Sequence, residues 1–85
     1  MKLFEYTIKD KLGLHARPAG LLVKCISAFQ SDIKLTKSEK TVDAKRLFGV
    51  MGMAIKCGDI IIISIDGPDE ELAFNAIKLF CEETI

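Results

Sequence analysis

The sequence lacks several features that would place it in a broad functional class. Lys+Arg and Asp+Glu both number 12, so the formal net charge is zero. This balance excludes a strong general attraction to nucleic acid or to anionic membranes. No apolar run approaches the ~20 residues of a membrane span, since the longest runs only from Ile60 to Ile63. The N-terminus carries an early acid, Glu5, and no apolar signal region, so we expect a cytoplasmic protein without direct membrane insertion.

Cysteine and histidine are too few and too widely spaced for a metal site. Cys25, Cys57 and Cys81 form no CxxC pair, and the single histidine, His15, is not near any of them in sequence. We therefore predict no bound metal, and we interpret the cysteines as small apolar residues in a reducing cytosol. There is also no P-loop and no GxGxxG segment, so no nucleotide or other cofactor is expected.

Alternating apolar residues and β-branched runs predict four strands. They lie at 4–8, 33–36, 41–42 and 60–65. The run 60–65 is apolar on both sides, so we place it inside the sheet. Ile61, Ile63 and Ile65 are expected to face the helices, and Ile60 and Ile62 the open side. The strands at 33–36 and 41–42 are expected to pair as a hairpin.

Helical spacing predicts two longer helices and a short one. The first is expected to begin near Pro18, and the last to have Pro68 at its first position. The predicted buried stripe of this last helix includes Leu72. The short helix fits within 45–52. The resulting order, βαββαβα over a chain of 85 residues, predicts a single α+β domain, 1–85, with one small sheet and helices packed on one face.

The segment Gly-Leu-His-Ala-Arg-Pro-Ala at 13–19 places the only histidine where a loop becomes a helix. The first N–H groups of a helix lack internal partners and carry partial positive charge, which favours an anion and disfavours an imidazolium. We therefore expect His15 to be largely neutral, with a ring lone pair available as a nucleophile. A phosphorylated ring would place its charge near the N–H groups of Ala16 and Arg17 and near the Arg17 side chain. A solvated or structural histidine is the alternative.

With this segment and Leu-Phe-Gly-Val-Met at 47–51, the whole chain resembles the HPr family of phosphocarrier proteins of the bacterial phosphoenolpyruvate-dependent sugar phosphotransferase system. The resemblance implies an open-faced sandwich of a four-stranded antiparallel sheet with three helices on one side. It implies that His15 accepts a phosphoryl group on Nδ1 from phosphorylated enzyme I and passes it to the EIIA domains of sugar transporters. Arg17 would neutralise the phosphoryl charge. Such a protein is a stoichiometric carrier and not an enzyme, without a metal or cofactor of its own.

The resemblance also implies a partner surface on the first two helices. It comprises Gly20, Leu21 and Lys24 of the first helix and Leu47, Phe48 and Met51 of the second. Core packing is the alternative for Leu47. We expect a monomer, because a shuttle must expose the same face to successive partners.

One position departs from the family pattern. Arg46 stands where Gram-positive members carry a regulatory serine, so regulation by a serine kinase is not expected. Together with Lys45, it is expected to add positive charge near the site.

Two other functions stay open from the sequence. The first is an HPr paralogue in a regulatory or nitrogen-type phosphotransfer chain. The second is a small KH-like RNA-binding module, because the segment 49–52 fits a GxxG loop beside Lys45 and Arg46. Zero net charge and a single tyrosine argue against the second, and we predict no nucleic-acid partner. Whether Ile60 and Ile62 support a dimer is also left open.

Overall fold

The structure is a computed structural model that describes all residues, 1–85. Its elements are β1 (Lys2–Thr7), α1 (Ala16–Ser27), β2 (Asp32–Lys37), β3 (Lys40–Asp43), α2 (Leu47–Met51), β4 (Ile60–Asp66) and α3 (Glu70–Thr84). The predicted order βαββαβα is therefore confirmed. None of the helices combines the length and the apolar composition needed to cross a bilayer.

The strands form one antiparallel sheet in the order β1-β4-β2-β3. In the centre of the sheet Ile63 of β4 lies opposite Phe4 of β1 on one side and Leu35 of β2 on the other. β2 and β3 pair as a hairpin, with Leu35 opposite Val42. The placement of the isoleucine-rich strand inside the sheet and the hairpin are both confirmed.

The two faces of β4 differ as the alternation predicts. Ile61, Ile63 and Ile65 are fully buried, whereas Ile60 and Ile62 are 54% and 38% exposed. The buried isoleucines belong to a core of 18 apolar residues between the sheet and the helices. The fold is thus the open-faced α+β sandwich with helices on one side of a four-stranded sheet, and the other side of the sheet is open.

The start of α1 differs from the prediction. The helix begins at Ala16, with His15 as its N-cap in an extended conformation (φ −79°, ψ −176°), and not near Pro18. Pro18 is the third helical residue, where an N–H group would lack an intrahelical acceptor in any case. A proline is therefore tolerated inside the first turn, and its position alone does not fix the helix start.

The start of α3 differs in the opposite direction. Pro68 precedes the helix, Asp69 is its N-cap and Glu70 is its first residue. The Asp69 carboxylate makes no capping bond to α3, because it accepts hydrogen bonds from the main-chain N–H groups of Gln30 (2.8 Å) and Ser31 (3.0 Å). The start of the helix is thus set by a contact with a distant loop.

Two predictions about packing are wrong in detail. Leu72 is exposed, because the face of α3 that meets the core follows Ala73, Ile77 and Cys81, and Leu72 lies outside that stripe. Among the cysteines, Cys81 is buried but Cys57 is exposed at a turn, so the interpretation as a packing residue does not hold for Cys57. Burial raises the pKa of the Cys81 thiol to about 12.

Candidate functional site

The loop before α1 is fastened to the body of the protein by main-chain hydrogen bonds. The N–H of Leu14 donates to the carbonyl of Ile55 (3.0 Å), and the N–H of Gly13 donates to the carbonyl of Asp10 (2.9 Å). Leu14 is buried in the core. Its neighbour His15 is therefore presented at the surface by a loop that is fixed on its interior side.

The His15 side chain is not used in the local structure. As the N-cap residue, His15 accepts the N–H of Ala19 on its carbonyl oxygen (2.9 Å), but its imidazole makes no capping hydrogen bond. The side chain is 39% exposed. The ring is therefore accessible at the N-terminus of α1, where the sequence predicts it.

The first turn of α1 presents unpaired donors beside the ring. The N–H groups of Ala16 and Arg17 make no hydrogen bond within the protein, and Pro18 has no N–H group to donate. The Arg17 side chain is exposed and makes no ion pair. Unpaired helix N–H groups and a free guanidinium together form a site that favours an anion.

These groups surround an open depression of about 170 Å³. Its lining residues are Asp10, His15, Arg17, Pro18, Leu21 and Thr84. The structure thus brings together three of the predicted site residues, His15, Arg17 and Leu21. It adds Asp10 and Thr84, which the sequence analysis missed.

Asp10 is the acidic residue of the depression and lies beside the ring. Its Oδ2 atom lies 3.8 Å from Nε2 of His15. A turn signal was available in the sequence, since Asp10 precedes Gly13 by three residues and such pairs favour a turn. No local signal identifies Thr84, because it reaches the site from the end of α3.

The predicted partner surface is mostly exposed. Leu21 and Lys24 are exposed on α1 and Gly20 is partly covered. On α2, Phe48 is 86% exposed and Met51 is also exposed. Leu47 is half-buried and packs against the core, so the core-packing alternative applies at least in part to this residue.

The two cations before α2 occupy different places. Lys45 Nζ donates to the carbonyl of Phe29 (2.8 Å), just beyond the C-terminus of α1, which is the opposite end of α1 from His15. The expectation that Lys45 adds charge near the site is therefore wrong. Arg46 is the N-cap of α2, and its exposed guanidinium lies 4.0 Å from Asp43.

The GxxG loop expected of an RNA-binding module is not formed. Residues 49–51 are part of α2, Val50 is buried, and Gly52 is the C-cap. A helical segment of this kind does not clamp a nucleic-acid backbone as a GxxG loop does. Elsewhere in the protein, no cluster of three or more His, Cys, Asp or Glu side chains is placed to hold a metal ion.

Comparison with known proteins agrees with this geometry. The family model described as "PTS HPr component phosphorylation site" matches residues 3–83. The phosphocarrier protein HPr of Mycoplasma capricolum is 47% identical over 78 residues, which cover 92% of this chain and 88% of that protein. The matched segment includes His15 at the start of α1, and the family model is described as a phosphorylation site.

Solved structures give the same result. One is the structure of a histidine-containing phosphocarrier protein, which was described as evidence for the evolutionary divergence of Mycoplasma from Gram-positive bacteria. It matches with a TM-score of 0.94 at 44% sequence identity, and the match covers 98% of this chain and 94% of that chain. An HPr dimer from Thermoanaerobacter tengcongensis has a TM-score of 0.78 at 41% identity, with coverages of 98% and 95%. The chain belongs to the HPr family of phosphocarrier proteins of the phosphotransferase system.

Proposed function

We propose that His15 accepts a phosphoryl group from phosphorylated enzyme I and passes it to the EIIA domains of sugar transporters. The main support is the position of the imidazole, which is accessible at the N-cap of α1 beside the unpaired N–H groups of Ala16 and Arg17. A phosphoryl group on this ring lies within reach of these donors and of the free Arg17 guanidinium. Their partial and full positive charges stabilise its oxygens.

The proposed acceptor atom is Nδ1. The Asp10 carboxylate lies beside Nε2, so Nδ1 is the ring nitrogen without a carboxylate neighbour. The lone pair of Nδ1 attacks the phosphorus atom, the bond between phosphorus and the donor breaks, and its electron pair returns to the donor. The reverse sequence at EIIA releases the group. The protein is therefore a stoichiometric carrier and not a turnover enzyme, and the transfer needs no metal or nucleotide of its own.

The partner surface is proposed to be the exposed part of α1 and α2 beside the depression. It comprises Gly20, Leu21, Lys24, Leu47, Phe48 and Met51. A small surface suits a carrier, because a limited buried area allows fast release from successive partners. In the same proposal the chain acts as a single monomeric domain in the cytoplasm, and Arg46 at the start of α2 precludes phosphorylation of a serine at that place.

The test is phosphorylation of the purified protein by phosphoenolpyruvate and catalytic enzyme I. The expected product carries one phosphate that is labile in acid and stable in base, as a phosphohistidine is. His15→Ala should abolish labelling. The control variant Asp32→Asn, which keeps His15 and changes an exposed residue at the start of β2, should label normally. Label that survives His15→Ala contradicts the proposal. Comparing sugar-type with nitrogen-type enzyme I as the donor separates the two branches of the phosphotransferase system.

A further inference from the structure

Hydrogen bonds fix the backbone of Asp10, and one oxygen of its carboxylate points toward His15. The N–H of Asp10 donates to the main-chain oxygen of Ile85 (3.0 Å), and its carbonyl accepts the N–H of Gly13 (2.9 Å). Its Oδ1 atom accepts the N–H of Leu12 (3.0 Å). The other oxygen, Oδ2, lies 3.8 Å from Nε2 of His15. The carboxylate is thus fixed at one oxygen and free to interact with the ring at the other.

Asp10 keeps its negative charge available to the ring. It lines the same depression as Arg17, yet the two side chains do not form an ion pair. Arg17 and the first N–H groups of α1 supply positive charge, which suits the phosphoryl oxygens but opposes positive charge on the imidazole. Asp10 is the only acidic residue that lines the depression, and a carboxylate beside an imidazole favours positive charge on the ring.

We propose that Asp10 is a positioning residue for phosphoryl transfer. Its carboxylate holds the ring proton of His15 on Nε2, and this leaves the lone pair of Nδ1 free to attack phosphorus. In enzymes, a carboxylate beside a reacting or metal-binding imidazole has the same role, since it fixes the tautomer and the orientation of the ring. The inference rests on the proposed function, because it takes His15 as the phosphoryl acceptor.

The effect of Asp10 is greatest while the new bond forms. When Nδ1 bonds to phosphorus and the donor leaves with its electron pair, the imidazole gains positive charge while Nε2 keeps its proton. The Asp10 carboxylate then stabilises that charge. The distance of 3.8 Å in the unphosphorylated protein is longer than a hydrogen bond, and such contacts often tighten only in the reacting complex.

The experiment compares Asp10→Asn with a matched control, Asp32→Asn. Asparagine at position 10 keeps an acceptor for the N–H of Leu12 but removes the charge beside Nε2. Asp32 is exposed, its carboxylate makes no hydrogen bond or ion pair, and it follows α1 at the end remote from His15. The control therefore removes the same charge without touching the site. The readouts are the rate of transfer from phosphorylated enzyme I and the tautomer of the His15 ring, followed by ¹⁵N NMR.

We expect Asp10→Asn to slow transfer by about tenfold or more and to lower the fraction of the Nε2–H tautomer. Asp32→Asn should leave both at the wild-type value. Wild-type transfer rates and an unchanged tautomer in Asp10→Asn overturn the inference, even when labelling at His15 is normal. If the variant folds poorly, the wild type alone decides: a ring that is predominantly protonated on Nδ1 overturns it. Label that persists in His15→Ala rejects instead the proposed function itself.

Discussion

At the scale of single residues, Gly13 determines how the site loop meets the rest of the protein. Its φ of +70° lies in the left-handed region that favours glycine. A Cβ atom at this position would lie 2.5 Å from the carbonyl oxygen of Ile55 and 2.7 Å from Cα of Lys56. Both are main-chain atoms, so neither contact can be relieved by a side-chain rotation. The close approach lets Leu14 bond to Ile55 and fixes the loop that carries His15.

Replacing Gly13 by alanine should therefore cost about 3 kcal/mol of unfolding free energy, from backbone strain and from displacement of the 55–56 segment. Urea unfolding measures this loss. Gly58→Ala is the matched control, because Gly58 also has a positive φ (+89°) but no atom lies within 4 Å of a Cβ there. Strain alone should cost about 1–2 kcal/mol at Gly58. Equal losses in the two variants would show that the contact with Ile55 has no energetic importance.

The residues of the site differ in how far the sequence reveals them. The positions of His15 and Arg17 follow from local signals, since a proline within the first turn and a preceding glycine place them at a helix start. Asp10 is also close to this segment in the sequence, but the direction of its carboxylate depends on hydrogen bonds that Asp10 accepts from the N–H groups of Leu12 and Gly13. Thr84 is brought to the same depression only by the packing of α3. Residues whose placement depends on tertiary contacts give no pattern in the sequence.

At the scale of elements, the Asp69 carboxylate links the loop after α1 to the start of α3. It accepts hydrogen bonds from the Ser31 hydroxyl and from the N–H groups of Gln30 and Ser31. The Ser31 hydroxyl, followed by the Gln30 N–H, holds the pKa of the Asp69 carboxyl below its ordinary value of 3.8. Because Ser31 is buried, loss of these bonds would leave polar groups without partners.

This link predicts how stability depends on pH. A carboxyl whose pKa is lower in the folded than in the unfolded protein contributes stability that is present above the unfolded value. That stability is lost as pH falls through the folded value. The melting temperature of the wild type should therefore fall as pH decreases from about 5 to below 3.8. Asp69→Asn should melt at a lower temperature at pH 7 and should lose less on acidification.

Thermal melts followed by circular dichroism between pH 7 and pH 3 test this prediction. Asp59 and Glu70 also have lowered pKa values, from bonds to Lys56 and to the N-terminal amine respectively. Some acid sensitivity should therefore remain in Asp69→Asn. Asp32→Asn, which removes a carboxylate without hydrogen bonds, should keep the wild-type slope. A slope in Asp69→Asn as steep as that of the wild type would contradict the assignment.

The elements show the same division between local and distant causes. The order of the elements, the β2–β3 hairpin and the buried face of β4 follow from alternation and β-branched residues, so the sequence is sufficient to predict them. The start of α3 is not predictable in this way, because Asp69 bonds to Gln30 across 39 positions of the chain. Pro68 and the acidic residues after it suit a helix start, but this contact decides which residue is first.

At the scale of the whole molecule, the fold separates residues that stabilise it from residues that are free to meet partners. Leu47 and Phe48 are neighbours on α2, yet Leu47 packs against the core and Phe48 is 86% exposed. Leu21 on α1 and Met51 on α2 are also exposed apolar residues. The two helices α1 and α2 are in contact. Leu21 also lines the depression that contains His15, and an exposed apolar surface of this kind is typical of a docking site.

Phe48→Ala should therefore weaken docking without affecting the fold. Loss of an aromatic anchor should raise the apparent KM of enzyme I for the carrier about tenfold, whereas the melting temperature should stay unchanged because the ring contributes little to the core. Leu72→Ala is the matched control, since Leu72 is 69% exposed and lies in the first turn of α3, near the end of α1 that is remote from His15. The control should alter neither quantity. A similar rise in KM for both variants would mean that exposed apolar area in general, and not the surface on α1 and α2, determines how the carrier meets its donor.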